Sequence, residues 1–179
     1  MDRRHGFALT TSLLDQLGLT VADARITTGA DGYALDTYLV LDESGEPIQG
    51  SFRLHEIEDT LRRELGGPRT GPARVTRRAP RRFRHFSIPT RVEFSLDEPN
   101  RRTIVELITA DRPGLLSRVG SAFNQCGVRL QNARISTFGA RAEDVFYVTD
   151  AGDRPLSDPA QLECLRETLV RYLDEPRAA

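Results

Sequence analysis

Lysine is absent from the 179 residues: the 25 basic side chains are all Arg, set against 26 acidic ones. All-Arg usage reads as a coding bias, and the near-neutral balance argues against a globally basic nucleic-acid binder. Cysteine occurs only at Cys126 and Cys164. The two are distant in sequence, each on or beside an apolar helical stripe, and they read as reduced structural thiols of a cytoplasmic protein. No run approaches the roughly 18–20 apolar residues of a membrane span, and no apolar signal-peptide core follows the N-terminus. Acidic residues are missing between Glu64 and Glu93, a window holding Arg69, Arg74, Arg77, Arg78, Arg81, Arg82, Arg84 and Arg91 among Pro and Gly. That composition predicts an exposed linker over 67–87. With Phe83 and Phe86 it could touch RNA, but no folded RNA-binding motif accompanies it, so nucleic acid is not an expected partner.

What is present is organised around Thr103–Cys126, TIVELITADRPGLLSRVGSAFNQC. A strand-like run turns at Asp111-Arg112-Pro113-Gly114. It continues with apolar residues at Leu115, Leu116, Val119, Ala122, Phe123 and Cys126, one stripe on a helix. Pro113 suits a first helical turn, Asp111 is a cap candidate, and Gly127 stops the helix. Such a turn leaves backbone N–H groups facing an opening where a carboxylate can sit, and Gly114 lets a ligand approach closely.

The stretch occurs twice. Residues 1–42 repeat it at an offset of 109 (111 − 2, 127 − 18, 134 − 25), with Asp2, Arg3, Ser12, Gln16, Gly18, Ala24, Arg25, Ile26 and Thr28 falling on identical residues. Two copies of one module are implied. Arg4 and His5 replace Pro113 and Gly114, which makes the first loop the poorer candidate. The strand after each helix changes phase at Ala22-Asp23 and at Gln131-Asn132, predicting a bulge in each. Bulges re-aim side chains, so Asp23 and Asn132 are candidates for a pocket or a seam. Third strands follow at Tyr33–Leu41 and Glu143–Thr149. Helices are expected at Phe52–Leu65, burying Leu54, Ile57, Leu61 and Leu65, and at Pro159–Leu173, capped by Ser157-Asp158 and burying Leu162, Leu165 and Leu169.

The words DRPGLLSRVGSAF, followed by GVRLQNARIST and EDVFYVTD, resemble an ACT domain, a βαββαβ module that binds amino acids. With the first repeat and the linker, nearly the whole chain resembles the C-terminal tandem ACT region of bacterial PII uridylyltransferase/uridylyl-removing enzymes. The resemblance implies an α+β fold of two ferredoxin-like ACT modules, 1–66 and 88–179, joined by 67–87. It implies glutamine or another amino acid as ligand, ACT–ACT contacts with self-association, and the PII protein as a partner through the full-length enzyme. Ligand contacts are expected from Asp111, Arg112, Pro113, Gly114, Leu115, Leu116 and Asn132, with a weaker site at Asp2, Arg3 and Asp23.

A nucleotidyltransferase needs a Gly-Ser turn followed by paired Asp ligands for Mg²⁺. Gly50-Ser51 and Gly120-Ser121 lack such a pair, and His5, His55 and His85 are isolated, so no catalytic residue, metal or cofactor is expected in this chain. Strand accounting adds one more expectation. Ile88–Leu96, with Val92, Phe94 and Leu96 in phase, can fill the fourth-strand slot of the second module, giving a permuted ββαββα order. The first module is left as αββα without its N-terminal strands, so the chain reads as a fragment or a mis-started gene product. The open edge of Tyr33–Leu41 is then expected to take a strand from the second module, or the same edge of another copy.

Overall fold

The structure is a computed structural model that describes residues 6–28, 34–66 and 88–174. Asp2, Arg3 and the 67–87 segment lie outside the described residues. The elements run α1 (Gly6–Gln16), β1 (Thr20–Thr28), β2 (Ala34–Leu41), α2 (Ser51–Gly66), β3 (Arg91–Asp97), β4 (Arg102–Ala110), α3 (Leu115–Gln125), β5 (Arg129–Arg134), β6 (Thr137–Phe138), β7 (Arg141–Thr149) and α4 (Pro159–Asp174). The fold is α+β with tandem ferredoxin-like modules. β3 lies antiparallel beside β4, pairing Val92 with Leu107, as the permuted order requires. One seven-stranded sheet, β2-β1-β5-β7-β4-β3, runs through both modules. The two-residue β6, not foreseen, pairs with the start of β7.

Period-two alternation fixes which face is covered. β4 buries Thr103, Val105, Leu107 and Thr109, and β7 buries Ala142, Asp144, Phe146 and Val148. α3 lays Leu115, Val119, Ala122 and Phe123 over this face, with Phe123 edge-on to Phe146 at 5.4 Å between centroids. α4 adds Leu165, Leu169 and Leu173, four residues apart on one stripe. Each such side chain contributes about 1.5–3 kcal/mol on burial. The helix ends repeat as the sequence does. Gly18 and Gly127 take φ of 72° and 66°. Leu19 N–H then reaches Leu14 C=O at 2.9 Å, and Val128 N–H reaches Phe123 C=O at 2.8 Å, closing the last turn of each helix. Asp158 caps α4 by accepting the Ala160 N–H at 2.9 Å.

The modules meet at β1 and β5, where Asp23 opposes Arg134, Ala24 opposes Ala133 and Arg25 opposes Asn132. Under the repeat offset the two alanines are counterparts and the flanking pairs exchange, Asp23 corresponding to Asn132 and Arg25 to Arg134, so the seam is arranged about a local pseudo-two-fold axis within one chain. Both alanines are fully buried. Both expected bulges are present, as register shifts between Val21 and Asp23 and between Leu130 and Asn132.

Three expectations are corrected. Cys126 and Cys164 form a disulfide, with an S–S distance of 2.09 Å, rather than two reduced thiols. Side-by-side packing of α3 and α4 brings Cα atoms 38 residues apart in sequence to 5.9 Å, a proximity that chain separation hides. Along α2 only Ile57 is buried, Leu61 and Leu65 are half-buried, and Leu54 is 51 % exposed. The stripe is there, but among the described residues the first module gives it only β1 and β2 to lie on. Lastly, the second module supplies β5 to β1 and leaves the other edge of β2 without a partner among the described residues. Among them, too, no helix is long and apolar enough to cross a membrane.

Candidate ligand site at the start of helix α3

The loop from β4 to α3 differs from its expected form in one respect. Gly114, not Asp111, is the N-cap, with φ 79° and ψ 10° and no side-chain cap, and Pro113 lies before the first turn rather than in it. The cause is local: Leu115 N–H donates to the Arg112 carbonyl at 3.1 Å and closes a turn that pushes the helix start past the proline. The Leu115–Leu116 amide pair expected to hold a carboxylate is thereby reduced to Leu116. The left-handed backbone at Gly114 is one that L side chains adopt only at a cost.

Asp111 is anchored through its N–H to Ala140 C=O at 2.9 Å. Its carboxyl is partly open to solvent, yet the surrounding protein raises its pKa above the ordinary carboxylate value, opposed by a hydrogen bond from the Arg112 N–H. The Arg112 guanidinium turns away and donates to Leu173 C=O at 3.3 Å, while Arg118 donates to Tyr172 C=O at 2.8 Å. Two cations thus cover the carbonyls at the end of α4 and hold that helix against the loop.

Beneath the loop lies a residue that sequence reasoning misses. Asp144, on β7 opposite Leu107, is 1 % exposed and shares the helix-covered face with Phe146. Its Oδ1 accepts the Ser136 N–H at 3.2 Å, and its Oδ2 has no partner among the described residues. Burial pushes its carboxyl up to about 7, partly offset by the Ser136 hydrogen bond and reinforced by the nearby charge of Asp111. Asp111 therefore lies just ahead of the positive end of a helix, and the Asp144 carboxyl is near enough to feel its charge.

Asn132 is not part of this constellation. It opposes Tyr147 on β7, six residues from Arg141, where the sheet meets the loop. At about 3.4 Å per residue that is roughly 20 Å along the strand. Its neighbour Ala133 faces the helices, so Asn132 points to the other face of the sheet. Asp23 sits likewise at the module seam, opposite Arg134 and Leu39. Asp111, Arg112, Pro113, Gly114, Leu115 and Leu116 stay together, and Asp144 joins them.

No family model matches the chain, and no solved structure does. Curated relatives do match. It is 50 % identical over 169 residues, 94 % of this chain, to the bifunctional uridylyltransferase/uridylyl-removing enzyme of Methylococcus capsulatus. Identity is 44 % over 99 % of the chain to the enzyme of that name from Ectopseudomonas mendocina, and 42 % over 96 % to the one from Pseudomonas syringae pv. tomato. The chain is homologous to a segment of bifunctional uridylyltransferase/uridylyl-removing enzymes. It spans about a fifth of their length, 19–20 %.

Within the chain, pairing register reveals a second copy of the buried acid. Asp36, on β2, opposes Ile26 on β1, and Tyr38 opposes Ala24 just as Phe146 opposes Ala133. Asp36 is thus the counterpart of Asp144 at an offset of 108 (144 − 36, 150 − 42), one less than in the preceding strands. It is half-buried, with Oδ1 unpartnered among the described residues and its pKa raised by burial. Its Oδ2 lies 3.6 Å from where a Cβ on Gly6 would be, so it too faces the start of a helix. The signal is in the sequence as DTYLVLD and DVFYVTD, obscured by the one-residue slip.

Proposed function

We propose that this chain is a regulatory, amino-acid-sensing region of a PII uridylyltransferase/uridylyl-removing enzyme, built from tandem ACT modules, with glutamine as its ligand and a role in nitrogen regulation. The observation that carries the reading is the pairing of opposite polarities at one loop. Asp111 and Asp144 offer carboxyl groups, and the first turn of α3 beyond Leu115 offers N–H groups. An α-amino acid is a zwitterion with its ammonium and carboxylate one carbon apart, and it matches that arrangement. The curated relatives' name supports the regulatory setting: an enzyme that both adds and removes uridylyl groups needs a signal to choose between them, and a ligand with different affinity for two domain arrangements supplies one. PII would be met through the full-length enzyme.

Titration calorimetry of the chain with glutamine tests the reading. Wild type should bind and Asp111→Asn should bind at least tenfold more weakly; equal binding by the two removes Asp111 from the site. A stand-alone interaction module is the second reading, favoured by Leu35 and Leu39, 71 % and 59 % exposed on the edge strand β2.

A further inference from the structure

Asp144 has no structural duty that uses both its oxygens. Oδ1 accepts one amide and Oδ2 is buried without a partner among the described residues, on a face that also carries Leu107, Phe146 and Val148. One oxygen is enough to accept the Ser136 amide, so the second is a buried polar atom that folding alone disfavours. The same strand position recurs at Asp36, although the residues preceding α1 and α3 differ in sequence. We propose that Asp144 and Asp111 together are the seat of the ligand's α-ammonium group, and that the ammonium enters in exchange for a proton held by Asp144. The proposal rests on the amino-acid reading above and assigns the one contact that tells an amino acid from other carboxylates.

The surroundings support an exchange rather than simple attraction. Asp111, from the loop, is the charged group whose field reaches Asp144, and it has the same sign. Arg112 on that loop is engaged with α4, and the Ser136 amide on the β5 side is neutral. Asp144, buried and within the field of the Asp111 charge with no cation paired to it, holds its proton towards neutral pH. An ammonium placed between them favours both charged forms, and the displaced proton passes to the buffer.

The test is calorimetry of the full 179-residue chain at pH 7 in phosphate and in Tris, buffers of unlike ionisation enthalpy, with glutamine and with 4-carbamoylbutanoate, its analogue lacking the α-amino group. Wild type should release about half a proton per glutamine and prefer glutamine by tenfold or more. Asp144→Asn, matched in shape, should release none and lose most of that preference while still taking the analogue. Glutamine binding by wild type with no buffer dependence, or an unchanged preference in Asp144→Asn, overturns the proposal and leaves the amino-acid reading standing. Absence of glutamine binding to wild type overturns both.

Discussion

At the residue scale the informative groups are acids whose environments pull their titrations in opposite directions. Asp42 and Asp150, counterparts in the turns after the third strands, are held below the ordinary carboxylate value by hydrogen bonds from the turns they close. Asp144 goes the other way, raised from 3.8 to about 7 chiefly by burial. The native state therefore holds a proton there that the unfolded chain gives up. The associated stability is present below about pH 4 and is lost as pH rises through about 7. Asp144→Asn keeps the oxygen that accepts from Ser136 and cannot ionise. In urea melts of the ligand-free protein it should be more stable than wild type by up to a few kcal/mol at pH 8, because each tenfold change in proton affinity is worth about 1.4 kcal/mol. At pH 4 it should be no better. The same difference at both pH values would mean that ionisation is not the cause. The position is legible in principle, since one Asp two residues before an aromatic recurs in both third strands. A repeat read at one offset throughout hides it, because the connection into the third strand differs by one residue.

At the element scale the contact of α1 with α3 decides how closely the modules approach. Gly120 lies in the interior of α3, where helix propensity alone favours Ala over Gly by about 1 kcal/mol. Here a Cβ would lie 2.9 Å from Ala8 Cβ and 3.0 Å from Ala8 Cα and N, so helix backbone would have to move. Overpacking of that kind costs about 1–3 kcal/mol and outweighs the propensity. Gly120→Ala should lower the thermal midpoint, and Ala8→Gly should restore it only in part because the Ala8 backbone atoms remain. A raised midpoint would show that the helices separate freely. The elements themselves are legible: apolar spacing marks the stripes of α3 and α4, and the phase changes at Ala22-Asp23 and Gln131-Asn132 mark the bulges. What depends on how elements dock is not. The disulfide between the end of α3 and α4 closes a loop of 38 residues, worth about 3–4 kcal/mol on the chain-entropy view, and nothing in the local pattern around Cys126 or Cys164 announces it.

For the whole molecule the balance of the sheet matters most. β1 is flanked by β2 and β5 and lies under α1, while β2 has one partner among the described residues and α2 buries only Ile57. Residues 34–66 therefore form the least supported part of the described chain, with Leu35, Leu39, Phe52 and Leu54 all more than half exposed. Strand accounting from the sequence expects a first module short of strands and offers the second module, or another copy, as a cover for the β2 edge; among the described residues β2 pairs with β1 alone. The near-identity of the two bulged strands around Ala24 and Ala133 explains why the second module joins β1 instead: a self-complementary seam is already available there. An edge with unpaired N–H and C=O groups and flanking leucines favours pairing with a second copy, which would bury part of that apolar surface. Hydrogen exchange at two protein concentrations reads this directly. At low concentration 34–66 should exchange far faster than 102–110 and 141–149, while 20–27 should be protected nearly as well as β5, because the seam shields it. Raising the concentration should slow exchange in β2 selectively, with sedimentation showing dimers in the same range. Protection of β2 that equals that of β7 in a monomer, unchanged by concentration, would mean that the edge is covered from within the chain and that its exposed leucines serve no association.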